Sequence, residues 1–348
     1  MFFASDNWSG AHPRIAESLT RFASGFASAY GTSDHDKLIE AKFNDMFERE
    51  VAVFFVATGT AANSLALASV AKAGGVTFCH SDAHVNADEG GAPEFLTGST
   101  RLFPVEGDNG KIDPQALDIA VSRFDVPSVH HGRPMAITVT QATEAGTVYT
   151  LDELDAIAAI AREKKLPLHM DGARFANALV GLNASPAEMT WKRGVDILSF
   201  GGTKNGCWCA EAIIFFKPEM AEEMPYIRKR SAQLFSKTRF ISAQLEAYLE
   251  GDLWLELARH SNAMADRLRQ GLTAKNSARL AWDTQANEVF AVIDRQAAAR
   301  ARENGATFYD WLPPREMPHL LNENETLIRL VTSFATTADE VDQFMEVV

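Results

Sequence analysis

The sequence has few cysteines, no long apolar run and no excess of basic residues. It has only three cysteines in 348 residues, too few for a disulfide framework, and their odd number fits a reducing compartment. Cys207 and Cys209 lack a second ligand pair at the spacing of a zinc site, so no metal site is expected. Because no run of about 18 apolar residues occurs, no membrane-spanning helix is expected.

The charge of the chain is also informative. Lysine and arginine number 33 against 46 acidic residues, which gives a net charge of -13 and no basic stripe suited to nucleic acid. The first residues, MFFASDNWSGAHPR, lack the basic segment of a secretory signal. We therefore expect a cytoplasmic protein that acts on a small molecule, with neither nucleic acid nor membrane as a partner.

Short apolar runs alternate with helical patterns over the first two thirds of the chain. These runs are continuous rather than alternating, as in strands that crossover helices cover on both faces. They predict a largely parallel α/β sheet. The predicted strands are 51–57, 76–80, 135–140, 166–170, 195–200 and 211–216.

The pattern changes near residue 240, where a long helical stretch (241–271) precedes strands near 287–294 and 327–334. This predicts a smaller α+β domain after the boundary. Three helix starts carry a capping box, in which a Ser or Thr is followed three residues later by Glu. They are Thr150 with Glu153, Ser185 with Glu188, and Thr337 with Glu340.

Residues that follow the strands carry the candidate chemistry, because an open parallel sheet binds ligands at the carboxyl ends of its strands. Gly59 and Thr60 open a helix whose free N–H groups suit a phosphate, although a plain helix cap explains them equally well. Asp171 follows the strand 166–170. It either caps or pairs locally, with Arg174, or holds a protonated ring nitrogen.

Lys204 stands in the stretch SFGGTKNG, directly after the strand 195–200. Most lysines are solvated surface residues. Gly201, Gly202 and Gly206, however, permit a close backbone approach that a surface lysine does not need. A lysine desolvated in a cleft becomes an amine nucleophile suited to a Schiff base with a carbonyl cofactor.

Taken together, the strand ends predict a site for a planar, phosphorylated aldehyde. His84 follows the strand 76–80 and is either structural or placed to stack on a planar ring and act in acid/base chemistry. The helix start at 59–63 suits the phosphate, Asp171 the ring nitrogen and Lys204 the aldehyde carbon. Pyridoxal phosphate requires this combination, so it is the predicted cofactor.

Seven short stretches identify a family resemblance: FASDNWSG, AYG, GTAANSLAL, AHVNADEGGAPEF, TQATEAGTVY, LHMDGARFANA and SFGGTKNG. Together they resemble the low-specificity L-threonine aldolases, which are pyridoxal-phosphate lyases of the aspartate-aminotransferase-like fold type I. The resemblance implies an N-terminal arm (1–14) that contributes to the site, a large cofactor-binding α/β domain (15–240) and a small C-terminal α+β domain (241–348).

The same resemblance implies cleavage of L-threonine, L-allo-threonine and related β-hydroxy-α-amino acids such as phenylserine to glycine and an aldehyde. It assigns Lys204 to the Schiff base, Asp171 to the pyridine nitrogen and His84 to the ring face. The other implied cofactor-binding residues are Gly59, Thr60, Asn63, Arg174, Thr203 and Lys229, and the substrate-binding residues are Ser5, Tyr30, Arg174 and Arg329.

Members of this family are typically homotetramers with shared sites, so Tyr30 and Lys229 are expected to reach a neighbouring subunit's site. The chain departs from some branches of the family at Glu144, where those branches have histidine. The catalytic base is therefore His84, Glu144 or water.

Two alternatives remain open at this point. The same site suits another pyridoxal-phosphate lyase, by β-elimination or as an aldolase that prefers phenylserine. A protein of a different class, a non-covalent binder of phosphate or nucleotide, would use only the helix at Gly59 and leave Asp171 and Lys204 unexplained.

Overall fold

The computed structural model describes residues 1–126 and 128–348, which contain two sheets. The first sheet has seven strands in the order β1-β7-β6-β5-β4-β2-β3. Neighbours from β3 to β6 pair in parallel, and β7 runs antiparallel to both of its neighbours. The strands are β1 (Ala52–Val56), β2 (Val76–His80), β3 (Arg101–Val105), β4 (Pro134–Thr140), β5 (Leu168–Gly172), β6 (Ile197–Gly201) and β7 (Glu211–Phe215).

This sheet confirms the predicted fold class and all six predicted strands. Four of its strands, β2, β5, β6 and β7, are buried along their whole length. The sequence did not predict β3, an edge strand in which Arg101 and Pro104 are exposed. Such residues are typical of edge strands, since proline has no N–H to donate to a neighbouring strand. They also interrupt the apolar run by which the other strands were predicted.

Helices cover both faces of the sheet, and the three predicted capping boxes are present at the starts of the helices Leu151–Lys164, Pro186–Met189 and Ala338–Val347. Short 3-10 helices lie at Asp6–Trp8, Asp108–Gly110, Trp191–Arg193, Thr203–Asn205, Pro218–Ala221 and Glu250–Asp252. The α-helices are α1 (Pro13–Arg21), α2 (Asp34–Met46), α3 (Gly59–Val70), α4 (His84–Ala87), α5 (Ala92–Leu96), α6 (Pro114–Ser122), α7 (Leu151–Lys164), α8 (Phe175–Leu182), α9 (Pro186–Met189), α10 (Met224–Arg230), α11 (Arg239–Leu249), α12 (Leu253–Thr273), α13 (Arg295–Glu303) and α14 (Ala338–Val347).

The second sheet is antiparallel, with four strands in the order β10-β11-β9-β8. Its strands are β8 (Ala278–Leu280), β9 (Glu288–Asp294), β10 (Tyr309–Trp311) and β11 (Glu325–Val331). The sequence predicted β9 and β11, whereas β8 and β10, three residues each, are too short to show a periodicity. The chain start joins this sheet: Phe3 is fully buried in its core, and the Val331 N–H donates to Phe3 O at 2.8 Å.

The long helical stretch predicted at 241–271 is two helices, because Gly251 (φ 61°) and Asp252 (φ 57°) interrupt it in the left-handed region. The apolar face of α11 and the start of α12 pack in the core of the first sheet, whereas α12 joins the core of the second sheet from Ala265 onward. The domain boundary at residue 240 stays a prediction, and this packing supports a later division, within α12.

None of the helices in residues 1–126 and 128–348 has the length and apolar character needed to cross a membrane.

Candidate active site

The turn that carries Lys204 begins at the carboxyl end of β6 and depends on two glycines. A Cβ on Gly201 would lie 2.4 Å from Ala173 O, and a Cβ on Gly202 would lie 2.6 Å from Ala210 O. No side chain fits at those distances, so both glycines are required for close backbone approach. The prediction that the glycines serve such an approach is confirmed.

Asn205, which follows Lys204, connects the turn to the helices α11 and α12. The Asn205 side-chain N–H donates to Tyr248 Oη at 2.7 Å and to Trp254 O at 2.8 Å. Gly206 adopts φ 114°, which favours glycine and closes the turn. The turn is therefore fixed on both sides of Lys204, by the glycines before it and by Asn205 after it. The half-buried Lys204 forms no ion pair with any residue that the structure describes.

Asp171, at the carboxyl end of β5, begins a buried chain of hydrogen-bonded side chains that runs through Asn63 and Glu89 to His84. The Asn63 side-chain N–H donates to Asp171 Oδ2 at 2.9 Å and to Glu89 Oε1 at 2.8 Å. The His84 Nδ1–H donates to the same Glu89 oxygen at 2.9 Å. The Ala173 N–H donates to Asp171 Oδ1 at 3.0 Å. The chain links two residues that the sequence predicted to contact one cofactor ring.

The same chain of hydrogen bonds also influences the charge of His84. The hydrogen bond that His84 donates to Glu89 raises the pKa of His84, and the charges of Glu144 and Asp171 add to that effect. Burial raises the pKa of Glu89. The imidazole is therefore held closer to its cationic form than an exposed histidine would be.

The predicted phosphate-side helix start is present, but one of its residues has a different role. Gly59 and Thr60 open α3, and the Thr58 hydroxyl caps it by accepting from the Ala61 N–H. The first N–H groups of a helix lack acceptors within the helix, so they are available to an anion. Asn63, in contrast, is 2% exposed, and its amide contacts Asp171 and Glu89 rather than the helix end.

Arg174 and Arg329, the two predicted carboxylate-binding arginines, lie together and are already paired with acids. Arg174 is 3% exposed and grips Asp6 with two hydrogen bonds, Nε to Oδ2 at 2.8 Å and Nη2 to Oδ1 at 3.1 Å. Its Nη1 lies 3.3 Å from Glu288 Oε2. Arg329 donates through Nε to Glu288 Oε1 at 2.8 Å.

The acid partners of these arginines were not assigned from the sequence. Burial would raise the pKa of Asp6, but the charges of Arg174 and Lys204 outweigh it and hold the pKa below its ordinary value. Glu288 opens β9 and is fully buried. Its only signal in the sequence is a charged residue at the start of an apolar run, in NEVFAVID.

Glu144 lies beside this pair of arginines, with its Oε1 4.0 Å from Arg174 Nη1. Burial would raise the pKa of Glu144, but Lys204, Arg174, His84 and Arg329 together hold it below its ordinary value. Glu144 is therefore an ionised carboxylate surrounded by four basic side chains.

The remaining predicted residues occupy more peripheral positions. The Thr203 hydroxyl accepts from the Ala210 N–H at 3.3 Å, on the inner side of the turn. The half-buried Ser5 caps the 3-10 helix at Asp6–Trp8. Tyr30 and Lys229 are exposed and meet each other, with Lys229 Nζ 5.5 Å from the centre of the Tyr30 ring.

These features fit pyridoxal phosphate. Two buried oxygens in the hydrogen-bond chain, Asn63 Oδ1 and Glu89 Oε2, have no partner in the described structure. The Lys204 amine forms no ion pair within residues 1–126 and 128–348, and Asp171 presents a carboxylate on the adjacent strand. Such groups suit a ligand with an aldehyde, a basic ring nitrogen and a phosphate.

Residues 3–296 match the family model described as beta-eliminating lyase. The low specificity L-threonine aldolase of Pseudomonas aeruginosa is 42% identical over 311 residues, which cover 89% of each chain. The enzyme of the same name from Pseudomonas sp. strain NCIMB 10558 is 41% identical over 311 residues, again 89% of each chain.

The solved structures agree with this result. The threonine aldolase of Leishmania major superimposes with a TM-score of 0.91 at 28% identity, covering 99% of this chain and 98% of the other. The resemblance seen in the seven sequence stretches is confirmed. The chain belongs to the family of the beta-eliminating lyases and low specificity L-threonine aldolases.

Proposed function

We propose that this protein is a pyridoxal-phosphate-dependent aldehyde-lyase. It cleaves L-threonine, L-allo-threonine and related β-hydroxy-α-amino acids to glycine and an aldehyde. The observation that carries the proposal is that Lys204, whose amine has no ion-pair partner among the described residues, follows β6, while the buried carboxylate of Asp171 ends the adjacent parallel strand β5. The family membership and the names of the curated relatives support it.

Each part of the cofactor has residues that would hold it. Lys204 would bond the aldehyde carbon, Asp171 would hold the ring nitrogen, and His84 would cover the ring face. Gly59, Thr60 and Thr203 hold the phosphate side. When bound, pyridoxal phosphate supplies an electron sink for the bond that breaks at the substrate Cα.

The arginine pair orients the substrate. A guanidinium fork fixes the rotation of a carboxylate as well as its position, so Arg329 and Arg174 would hold the Cα–Cβ bond in a defined direction. Arg174 uses Nε and Nη2 on Asp6, and its Nη1 already lies 3.3 Å from Glu288 Oε2, so a substrate carboxylate would have to share that donor. Arg329 is 13% exposed and presents the more accessible fork.

Glu144 is the group we assign as base for the β-hydroxyl proton. It is ionised, half-buried and placed among Lys204, Arg174 and His84, where an amino-acid substrate would bring its hydroxyl. A positioned carboxylate of this kind contributes about 10²- to 10⁴-fold to a rate. His84, with its raised pKa, is the less suited acceptor.

A cavity beside Glu144 favours a second candidate, an aldolase that prefers bulky substrates. Its volume is about 560 Å3, and its walls include Trp282, Trp311 and Leu312. Aromatic and apolar walls stabilise an aromatic group by burial, so phenylserine would bind at least as well as threonine.

The assembly and location of the protein are part of the proposal. We propose a homotetramer in the cytoplasm, in which Tyr30 and Lys229 contribute to the site of a neighbouring subunit. Their exposure and mutual contact in one chain support that role, since both side chains are available to a second copy. Light scattering of the purified protein tests the tetramer.

The test of the function is a substrate panel of L-threonine, L-allo-threonine, their D-forms and phenylserine. Aldehyde release is measured in parallel with the release of pyruvate and ammonia. We expect aldehyde and glycine from the L-substrates alone. Pyruvate and ammonia without aldehyde would replace the proposal by β-elimination, and a colourless protein with no turnover would favour the phosphate-binding alternative.

A further inference from the structure

Glu211 is a buried carboxyl group behind the turn that carries Lys204. It is the first residue of β7, is 5% exposed and pairs in register with Gly201 of β6 and Val56 of β1. A carboxyl group in the middle of a sheet costs free energy unless it has partners. Neither the sequence motifs nor the proposed mechanism gives this residue a role.

The partners of Glu211 all belong to the turn. Glu211 Oε2 accepts from the Gly202 N–H at 3.0 Å. The side chain and the backbone of Thr203 also interact with the carboxylate and favour its ionised form. Glu211 therefore holds both residues that precede Lys204.

The charge of Glu211 changes near neutral pH. Burial raises its pKa to about 7, although Thr203, Gly202 and the charge of Lys204 lower it. Since opposite charges attract, an ionised Glu211 stabilises positive charge at the turn that carries Lys204.

Apart from His84, the following titratable groups around the turn keep one charge state near neutral pH. Burial raises the pKa values of Cys207 and Tyr248, so both stay neutral near pH 7. Burial also raises the pKa of the half-buried Cys209. Asp6 and Glu144, which face Lys204 from the arm and from the loop after β4, have lowered pKa values and stay ionised. Among the described residues, His84 is the exception near Lys204, because its hydrogen bond to Glu89 raises its pKa above the ordinary value of a histidine.

We propose that Glu211 is a positioning residue for Lys204. It fixes the turn through Gly202 and Thr203, and its negative charge stabilises positive charge on the Lys204 nitrogen when the cofactor is attached. The proposal rests on the proposed role of Lys204.

The test compares three holoenzymes, the wild-type protein, Glu211→Gln and the control Asp196→Asn, by titrating the visible cofactor absorption with pH. Asp196 pairs with Lys217 at the opposite end of the β6–β7 pair, so its variant controls for a lost carboxylate in the same sheet. Glutamine keeps an acceptor for the Gly202 N–H but has no charge. We expect the midpoint of Glu211→Gln to fall by roughly half to one pH unit, and the control to follow the wild type.

A second variant separates the contact from the charge. Glu211→Asp keeps the charge but shortens the reach to the Gly202 N–H. We expect it to bind pyridoxal phosphate roughly threefold to tenfold more weakly after reconstitution, with a midpoint closer to the wild type than that of Glu211→Gln. A purely structural role would weaken binding in both variants and move neither midpoint.

Borohydride labelling of the same wild-type sample distinguishes the two levels of the proposal. If Lys204 is labelled and the Glu211→Gln titration superimposes on that of the wild type, the role of Glu211 is overturned and the proposed function stands. If no label is found on Lys204, the proposed function fails and the role of Glu211 fails with it. Should Glu211→Gln not fold, the Glu211→Asp measurements decide, because unchanged cofactor affinity there overturns the positioning role.

Discussion

Two halves of the site are built in different ways. The cofactor half consists of side chains that follow strands or open helices of the first sheet: Lys204, Asp171, Asn63, Glu89 and His84. The substrate half is assembled from the chain start, two loops after strands of the first sheet and two strands of the second sheet. Its members are Asp6, Arg174, Glu144, Glu288 and Arg329.

The two halves also differ in how their charges are balanced. In the cofactor half, neutral Asn63 joins two acids, and the Lys204 amine stays unpaired within the described structure. In the substrate half, every arginine already has an acid partner. A buried ion pair is costly to break from one side, because the remaining charge is then unpaired. Substitutions in the substrate half should therefore disturb folding as well as activity, whereas those in the cofactor half should act mainly on chemistry.

The largest expected effect tests which half supplies the base. Glu144→Gln should lower kcat/KM for L-threonine by about 10²- to 10⁴-fold, because the hydroxyl proton loses its acceptor. Its cofactor absorption should stay intact. His84→Asn should change the cofactor spectrum and lower activity less. The reverse pattern in steady-state kinetics would move the base to the cofactor half.

Asp171→Asn tests the cofactor half at its centre. The variant keeps Lys204 and the amide of Asn63 but loses the charge that would keep the ring nitrogen protonated. We expect kcat to fall by about 10²- to 10³-fold with cofactor still bound. Asp155→Asn, on the surface of α7, serves as the control and should match the wild type. Full turnover by Asp171→Asn would remove Asp171 from the cofactor site.

Arg329→Ala tests the substrate half. Loss of a charge-assisted grip on the carboxylate should raise KM roughly 30-fold, or about 2 kcal/mol, while the cofactor spectrum stays unchanged. The variant also leaves Glu288 with a single arginine, so its unfolding midpoint should fall. Adding Glu288→Gln should restore part of that stability without restoring KM. An unchanged KM would show that Arg329 does not bind the substrate.

The smallest effect concerns the core beneath the cofactor half. His169 is fully buried in β5 between the hydroxyls of Thr138 and Ser199, and burial lowers its pKa to about 3. In the unfolded chain the imidazole has its ordinary pKa of about 6.5 and becomes protonated below that pH, whereas in the folded chain it stays neutral. The free energy of unfolding therefore falls by about 1.4 kcal/mol for each pH unit below that value.

Urea unfolding measures this loss. Between pH 6.5 and 5, His169 should cost about 2 kcal/mol, and His169→Gln should remove that slope. His130 is exposed, so His130→Gln should leave the slope unchanged. An equal slope in His169→Gln and the wild type would contradict the assignment of a neutral buried imidazole.

The difference between the halves also explains what the sequence could predict. Lys204, Asp171 and His84 were identified because the carboxyl ends of parallel strands meet at one edge of a sheet, so strand order along the chain predicts proximity in space. Capping boxes were predicted for a similar reason, since a cap and its partner lie three residues apart.

Pairs of residues that are far apart in the sequence show no pattern that predicts their contact. Asp6 and Arg174 are 168 residues apart, and neither pattern nor spacing indicates that they meet. Glu211 was read as the start of an apolar strand, and its contact with Gly202 depends on the antiparallel pairing of β6 with β7. The resemblance assigned Arg329 to the substrate, but its acid partner Glu288 becomes visible only once the second sheet is folded.

The central claim is that Lys204 holds the cofactor, and borohydride reduction of the coloured protein tests it most directly. Reduction fixes the cofactor to its lysine, and mass spectrometry of the digested protein then identifies the labelled peptide. We predict loss of the visible absorption and a label on Lys204, with no label and almost no turnover in Lys204→Ala. A label on another lysine, such as Lys229, or wild-type activity in Lys204→Ala, would contradict the claim.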